Sequence, residues 1–127
     1  MHNGEAVLRR WFDEVWTKGR IELIDEMLAD DYHTRGLKDG KSAASSVETM
    51  KAWRQQFARE FPVLRIEIQD VVADGDRAAL RCQVHVTQAN TGKTAEFAGM
   101  CFAHIKGGKI SQAWNSFDFA DMRRQLG

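Results

Sequence analysis

The chain has no excess charge of either sign: 18 Lys and Arg balance 18 Asp and Glu, and no dense basic cluster occurs. Without a net field there is nothing to hold a phosphate backbone or an anionic bilayer, so nucleic acid is not an expected partner. No apolar run approaches membrane-spanning length. The start, Met1-His2-Asn3-Gly4-Glu5, lacks the basic opening and apolar core of a secretory signal. These absences predict a soluble, cytoplasmic protein with no membrane partner. Cysteine is sparse: Cys82 and Cys101 are the only two, without CxxC spacing, so packed, reduced thiols and no metal site are expected. No repeat, low-complexity stretch or linker divides the 127 residues, a length suited to one domain over 1–127 with a single core.

What is present falls into two halves. Asn3 can cap a first helix carrying Val7, Leu8, Trp11, Phe12, Val15 and Trp16 on a broad apolar face, with Gly19 placed to end it. A short second helix follows through Ile21, Leu23, Ile24, Met27 and Leu28. Asp31 to Arg35 then reads as extended, with His33 and Arg35 on one side, before a Gly- and Ser-containing loop. Ser45 with Glu48 suggests a capping box for a third helix, whose Met50, Trp53, Phe57 and Phe61 recur at helical spacing and which Pro62 closes. From Val63 the period becomes two, and four antiparallel strands are predicted, with turns at Asp74-Gly75, Thr91-Gly92 and Gly107-Gly108. A last helical turn runs through Met122. His2 and His85 read as exposed or interfacial.

Counting outward from the turns gives a register. Thr91-Gly92 sets Cys82 opposite Cys101. The next turn pairs Ile105 with Ile110 and therefore Cys101 with Trp114 and Phe97 with Asp118. Asp118 and Trp114 then share the face of Cys101, with His104, Met100 and Phe102 opposite. The class is α+β: a curved, mostly antiparallel sheet covered by N-terminal helices.

Several segments together resemble the SnoaL-like polyketide cyclases, within the nuclear transport factor 2-like superfamily. They are Trp11-Phe12 through Gly19, Leu28 to Tyr32, Phe61-Pro62, Val71 to Arg77, Gly107 to Ile110, and Trp114 to Asp118 leading to Gln125-Leu126-Gly127. The resemblance covers nearly the whole chain and implies a cone-shaped α+β barrel with a deep pocket between sheet and helices. It also implies a homodimer through the sheet's outer face and no metal or organic cofactor. It does not imply one reaction, because the fold hosts cyclases, isomerases and hydrolases as well as binding and assembly proteins.

Asp118 matches the aspartate that serves as general acid and base in the cyclases, chemistry that suits a carboxylate held among apolar groups such as Phe97 and Trp114. Its other reading is a cap for the C-terminal helix. His104 matches an assisting histidine, yet the register sets it on the outer face, where a dimer contact is the ordinary role. Arg35 falls where the steroid isomerase branch has its catalytic carboxylate, and Cys101 where that branch has a second acid, so isomerisation by that route is not expected. Ala113 stands where many members carry histidine. His33 and Arg35 are candidate polar anchors, or a solvated pair. Trp11, Trp16, Trp53, Phe57, Cys101 and Trp114 are candidate ligand contacts, or core. The expectation is a small cofactor-free enzyme of cyclase or isomerase type acting on an apolar carbonyl-bearing or cyclic compound. The alternative is a hydrophobic-ligand-binding or dimeric assembly module.

Overall fold

The computed structural model describes residues 3–39 and 42–127. His2, and the part of the Gly- and Ser-containing loop at Gly40 and Lys41, lie outside the described residues. Helix α1 (Gly4–Arg10) is capped by Asn3, whose side chain accepts from the amides of Glu5 and Ala6. The chain does not continue as an α-helix to Gly19, as the sequence predicts. It widens into a π-helical segment, Trp11–Thr17. The wider turn brings residues four and five apart onto one face, so Trp11, Phe12, Val15 and Trp16 are all buried.

The end of that segment is held from outside. Arg54, on helix α3 (Val47–Glu60), is 5 % exposed. Its Nε donates to the carbonyl of Val15 at 3.2 Å and its Nη2 to that of Trp16 at 2.8 Å. The guanidinium also lies 4.9 Å above the Trp16 ring. Helix α3 begins one residue later than the predicted capping box: Ser46 is the cap and Thr49, not Glu48, completes the reciprocal pair. Helix α2 (Ile24–Met27) follows a single 3-10 turn, and α4 (Phe119–Leu126) outruns the one turn expected.

The strands are β1 (Leu28–Arg35), the small hairpin β2 (Lys38–Asp39) and β3 (Ser42–Ala43), and then β4 (Val63–Asp74), β5 (Arg77–Thr87), β6 (Thr94–Lys106) and β7 (Lys109–Phe117). Among the described residues the main sheet runs β1-β7-β6-β5-β4, with β1 parallel to β7 and the rest antiparallel. Gly75 supplies the positive φ of the β4–β5 turn, and Gly107 and Gly108 both supply it in the β6–β7 turn.

Two registers differ from the count. Cys82 faces Gly99 and Cys101 faces Leu80, because the β5–β6 loop spans Gln88 to Lys93 rather than two residues. That shift is even and leaves the faces unchanged. In β7, Ile105 does pair with Ile110, but His104 pairs with Gln112, leaving Ser111 as a bulge whose hydroxyl donates to the His104 carbonyl. This shift is odd. Cys101 therefore opposes Asn115, Phe102 opposes Trp114 and Gly99 opposes Phe117.

Candidate functional site

On its inner face the sheet offers little bulk at its centre. One cross-strand row is Ala78, Ala103, Ala113 and Thr34; the next places Leu80, Cys101 and Asn115 side by side. Helix α1 comes close over the alanines, so that a Cβ on Gly4 would sit 3.4 Å from that of Ala78. Large rings come instead from the helices. Trp16, Trp53 and Phe57 meet edge to face or tilted, with centroids 5.4 to 5.8 Å apart. Between small strand residues and large helical rings lies a cavity with about 40 Å³ of free space, room for a water or two.

Trp11, Trp16, Trp53, Phe57 and Cys101 line this cavity, together with Phe12, Tyr32, Asn115 and Phe117, which the sequence did not mark as ligand contacts. Phe117 is its half-buried edge: the ring lies directly over Gly99, where a Cβ would come within 2.2 Å, and stacks on Phe119. The polar groups are few. Asn115 Nδ2 donates to Thr34 Oγ1 at 2.7 Å and to the Arg35 carbonyl at 2.9 Å. Burial raises the Tyr32 phenol well above its ordinary pKa, with Thr34 opposing, and pushes the Cys101 thiol up to about 12. Among the described residues no carboxylate and no imidazole lines the cavity.

The other candidates lie elsewhere. Asp118 is exposed, one residue beyond β7, and its Oδ1 accepts from the amide of Asp121 at 3.0 Å, the capping role. It does not share the face of Cys101, because β7 ends at Phe117 and the bulge has moved the strand's alternation by one. Trp114 is turned to the outer face for the same reason, 39 % exposed beside Phe102 and His104. His33 and Arg35 are outside as well, since β1 runs parallel to β7 with His33 beside Gln112 and Arg35 beside Trp114. Arg35 lies 4.6 Å above the Trp114 ring rather than in the pocket. The signal for this was in β1 itself: Tyr32 and Thr34 take the buried positions between the exposed charges. Nothing local marked the bulge that brings Asn115 inward. His85, half-buried, sits between Glu67 and Glu96. No group of three or more metal-ligating side chains occurs among the described residues, and none of their helices is long and apolar enough to cross a membrane.

A curved mixed sheet wrapped over helices, closed around an apolar pocket, defines an α+β cone of the nuclear transport factor 2-like class. The profile of the SnoaL-like polyketide cyclases matches residues 6–126, and the chain belongs to that family. A candidate polyketide cyclase from Bacillus cereus is similar in structure at 26 % identity, with a TM-score of 0.82 over 95 % of this chain and 78 % of that one. IdmH, a candidate polyketide cyclase from Streptomyces antibioticus, superposes with a TM-score of 0.86 over 99 % of both chains at 23 % identity. AclR, a candidate hydroxylase from Streptomyces galilaeus, does so with 0.80 over 96 % of this chain and 83 % of that one at 19 %. No curated protein sequence matches the chain significantly. The family supports a cyclase-type role, while the mixture of names on one fold leaves the reaction to the site.

Proposed function

We propose that the cavity, opened beyond its present free space of about 40 Å³ by movement of its half-buried Phe117 edge, takes a neutral, apolar, carbonyl-bearing or cyclic small molecule, and that the chain serves a cyclase-type reaction by holding such a compound folded in a dry enclosure. One observation carries the reading: among the described residues, a wall of aromatic and aliphatic side chains with only Tyr32, Asn115 and Cys101 adding polar character apart from the indoles. A carboxylate entering it would be buried without a cation, since Arg35 lies on Trp114 outside and Arg54 on the helix carbonyls. Confinement promotes ring closure by restricting a flexible chain to near-attack geometries. Proton transfer by the wall is not part of the proposal, because Cys101 and Tyr32 both hold their protons at neutral pH.

An acid/base role for Asp118 and His104, which the resemblance implies, is the competing reading. Closure of an aryl diketone by intramolecular aldol addition separates the two: the enol tautomer, formed in solution, bonds through its carbon to the second carbonyl, and its O–H proton passes to that carbonyl's oxygen. With confinement alone, Asp118→Asn keeps most of the wild-type rate. A loss of about a hundredfold at unchanged thermal stability, typical of a removed general acid or base, overturns confinement as the mechanism. Binding of the diketone, read by quenching of the cavity tryptophans, with no acceleration at all would make the chain a binding protein.

The outer face fits a second copy of the chain. One cross-strand row runs Val72, Ala79, Phe102, Trp114 and Arg35 over the whole sheet, and Val72 and Met100 are 66 % and 56 % exposed. Two such stripes can pair about a two-fold axis. Sedimentation equilibrium then gives twice 14.4 kDa and a monomer for Phe102→Asp; a strict monomer for the wild-type chain sinks the dimer.

A further inference from the structure

Two segments that wall the cavity meet across an ion pair. One is the stretch leaving β1: Leu37 lines the cavity, 8 % exposed, and Asp39 follows two residues on. The other is α4: Phe119 lines the cavity, and Arg123 lies one turn further along the same face of the helix. Arg123 joins them. Its Nε donates to Asp39 Oδ1 at 3.3 Å and its Nη2 to Asp39 Oδ2. The Asp39 side chain is only 12 % exposed, so this is not a freely solvated surface pair.

The two segments are not held alike. Helix α4 has further anchors. Arg123 also donates from Nη1 to Glu60 Oε2 at 2.5 Å and from Nη2 to Glu60 Oε1 at 3.0 Å, and its guanidinium lies 5.5 Å from the centre of the Phe61 ring. The Gln125 side chain bonds both the amide and the carbonyl of Glu96. On the Asp39 side, β2 pairs with β3 alone among the described residues, and neither joins the main sheet. The chain turns out of β1 at Gly36, whose φ is +84° and which sits so close to the Asn115 carbonyl that no Cβ would fit. Asn115 Nδ2 holds the Arg35 carbonyl just before this hinge, and the Thr34 amide donates to the Ser45 carbonyl at 2.9 Å where the chain returns. The base is therefore fixed, while the Leu37 side chain and the bonds from Arg123 fasten residues 37–39 to the helices.

We propose that Arg123 latches a gate: residues 37–39 swing from Gly36 to admit an apolar small molecule, Asp39 letting go while Glu60 and Phe61 keep Arg123 and α4 in place. Leu37 is the part that closes the cavity. This rests on the reading of the cavity as a ligand site and adds how that site is entered. Since β1 runs beside β7 and Gly36 packs on Asn115, Leu37 stands at the end of the cavity whose edge is Phe117, and the two open the same side. Opening leaves no charge stranded, because Asp39 turns to water and Arg123 retains Glu60.

The test is acrylamide quenching of fluorescence in a Trp114→Phe background, which removes the exposed indole and leaves Trp11, Trp16 and Trp53, all on the cavity. Asp39→Ala is expected to raise the quenching constant about tenfold, the worth of one hydrogen bond to a charged group. Leu37→Ala raises it too, and Asp39→Ala added to that variant gives no further gain, because Asp39 acts by placing Leu37. Glu60→Gln loosens α4 from α3 with Asp39 still on Arg123, and is expected to lower the urea midpoint without raising quenching. Unchanged quenching in Asp39→Ala, additive gains in the double variant, or an equal rise in Glu60→Gln overturns the latch. Calorimetry with toluene judges the ligand site separately. If quenching responds as expected but neither the unaltered chain nor Asp39→Ala takes up toluene, the site reading falls and the latch stands; toluene binding with unresponsive quenching gives the reverse.

Discussion

Arg54 is a buried cation with no carboxylate beside it among the described residues, and replacing it by methionine is expected to destabilise the protein. Two charged-donor hydrogen bonds are lost, at 3.2 and 2.8 Å. The carbonyls of Val15 and Trp16 then end the π-helical segment without a partner, at about 1–3 kcal/mol each if buried. Stacking of the guanidinium on Trp16 at 4.9 Å adds roughly 0.5–2 kcal/mol. Against this, burial lowers the Arg54 pKa, a sign that the charge is held at a desolvation cost, and Nη1 is buried with no partner among the described residues. Removing that cost returns several kcal/mol at most. The loss of two caps together with the stacking contact outweighs it, leaving a net of about 3 kcal/mol, which for a chain of this size is a fall in Tm of about 10 °C. Differential scanning calorimetry measures it directly. Arg54→Lys, which keeps the charge but has no fork to span two carbonyls, is expected to fall between. A methionine variant as stable as the wild type would refute the claim that this side chain holds the helix end.

Other outcomes follow from single contacts. Asp118→Ala is expected to cost about 1 kcal/mol in chemical denaturation by uncapping α4, and Asp118→Asn a few tenths, since asparagine caps equally well; equal losses would remove the capping role. Gly99→Ala pushes a methyl into the Phe117 ring and is expected to cost about 1–3 kcal/mol by overpacking, with tryptophan emission shifted as the cavity edge moves; an unchanged Tm would mean the ring is free to swing away. Arg123 hydrogen-bonds Glu60 and Asp39, tying α4 to the end of α3 and to β2. The Arg123 hydrogen bond holds the Glu60 carboxyl below its ordinary pKa, so this stabilisation is complete above the ordinary carboxylate range and is lost as pH falls through the depressed value. Arg123→Met is expected to flatten the acid side of the stability profile, and an unchanged profile would show the clamp to be idle. With Cys82 and Cys101 buried and both pushed up to about 12, labelling by a thiol reagent at pH 8 is expected to track global unfolding in denaturant; prompt labelling of the native chain would refute this.

Alternation and turn chemistry carry information only as far as the alternation runs unbroken. The strands β4 to β7 were legible because period-two patterns and glycine turns are local. The inner face of β6 was right for the same reason: Phe97, Cys101 and Ala103 follow one parity that nothing interrupts. The face of β7 was not, because a bulge has no residue of its own. Ser111 is an ordinary strand residue, and the pairing of His104 with Gln112, together with its bond to the His104 carbonyl, is what reveals the extra position. Likewise the four- and five-residue spacings of Trp11, Phe12, Val15 and Trp16 suit an α-helix with a broad face and a π-helix equally. Arg54, forty residues on, supplies the partner that ends the wider form. The tryptophans and Phe57 were assigned to the pocket wall from apolar character alone, and Trp114 was placed with them by a register one residue out.

The bulge at Ser111 also makes the interior chemistry of this chain unusually cheap to rewrite. Drawing Ser111 into the ladder opposite His104 while the glycine turn is kept would exchange the two sides of β7, sending Ala113, Asn115 and Phe117 outward and Gln112, Trp114 and Ser116 inward. Gln112 would then stand opposite Ala103 and Trp114 opposite Cys101, an indole in place of the Asn115 amide, without a substitution anywhere. Deleting Ser111 outright would instead lock the present faces, since Gln112 would stay opposite His104. In lineages built on this sheet, the gain or loss of a bulge next to the last hairpin is therefore a route by which a ligand chamber is emptied, filled or re-lettered in a single event, while the fold around it is left intact.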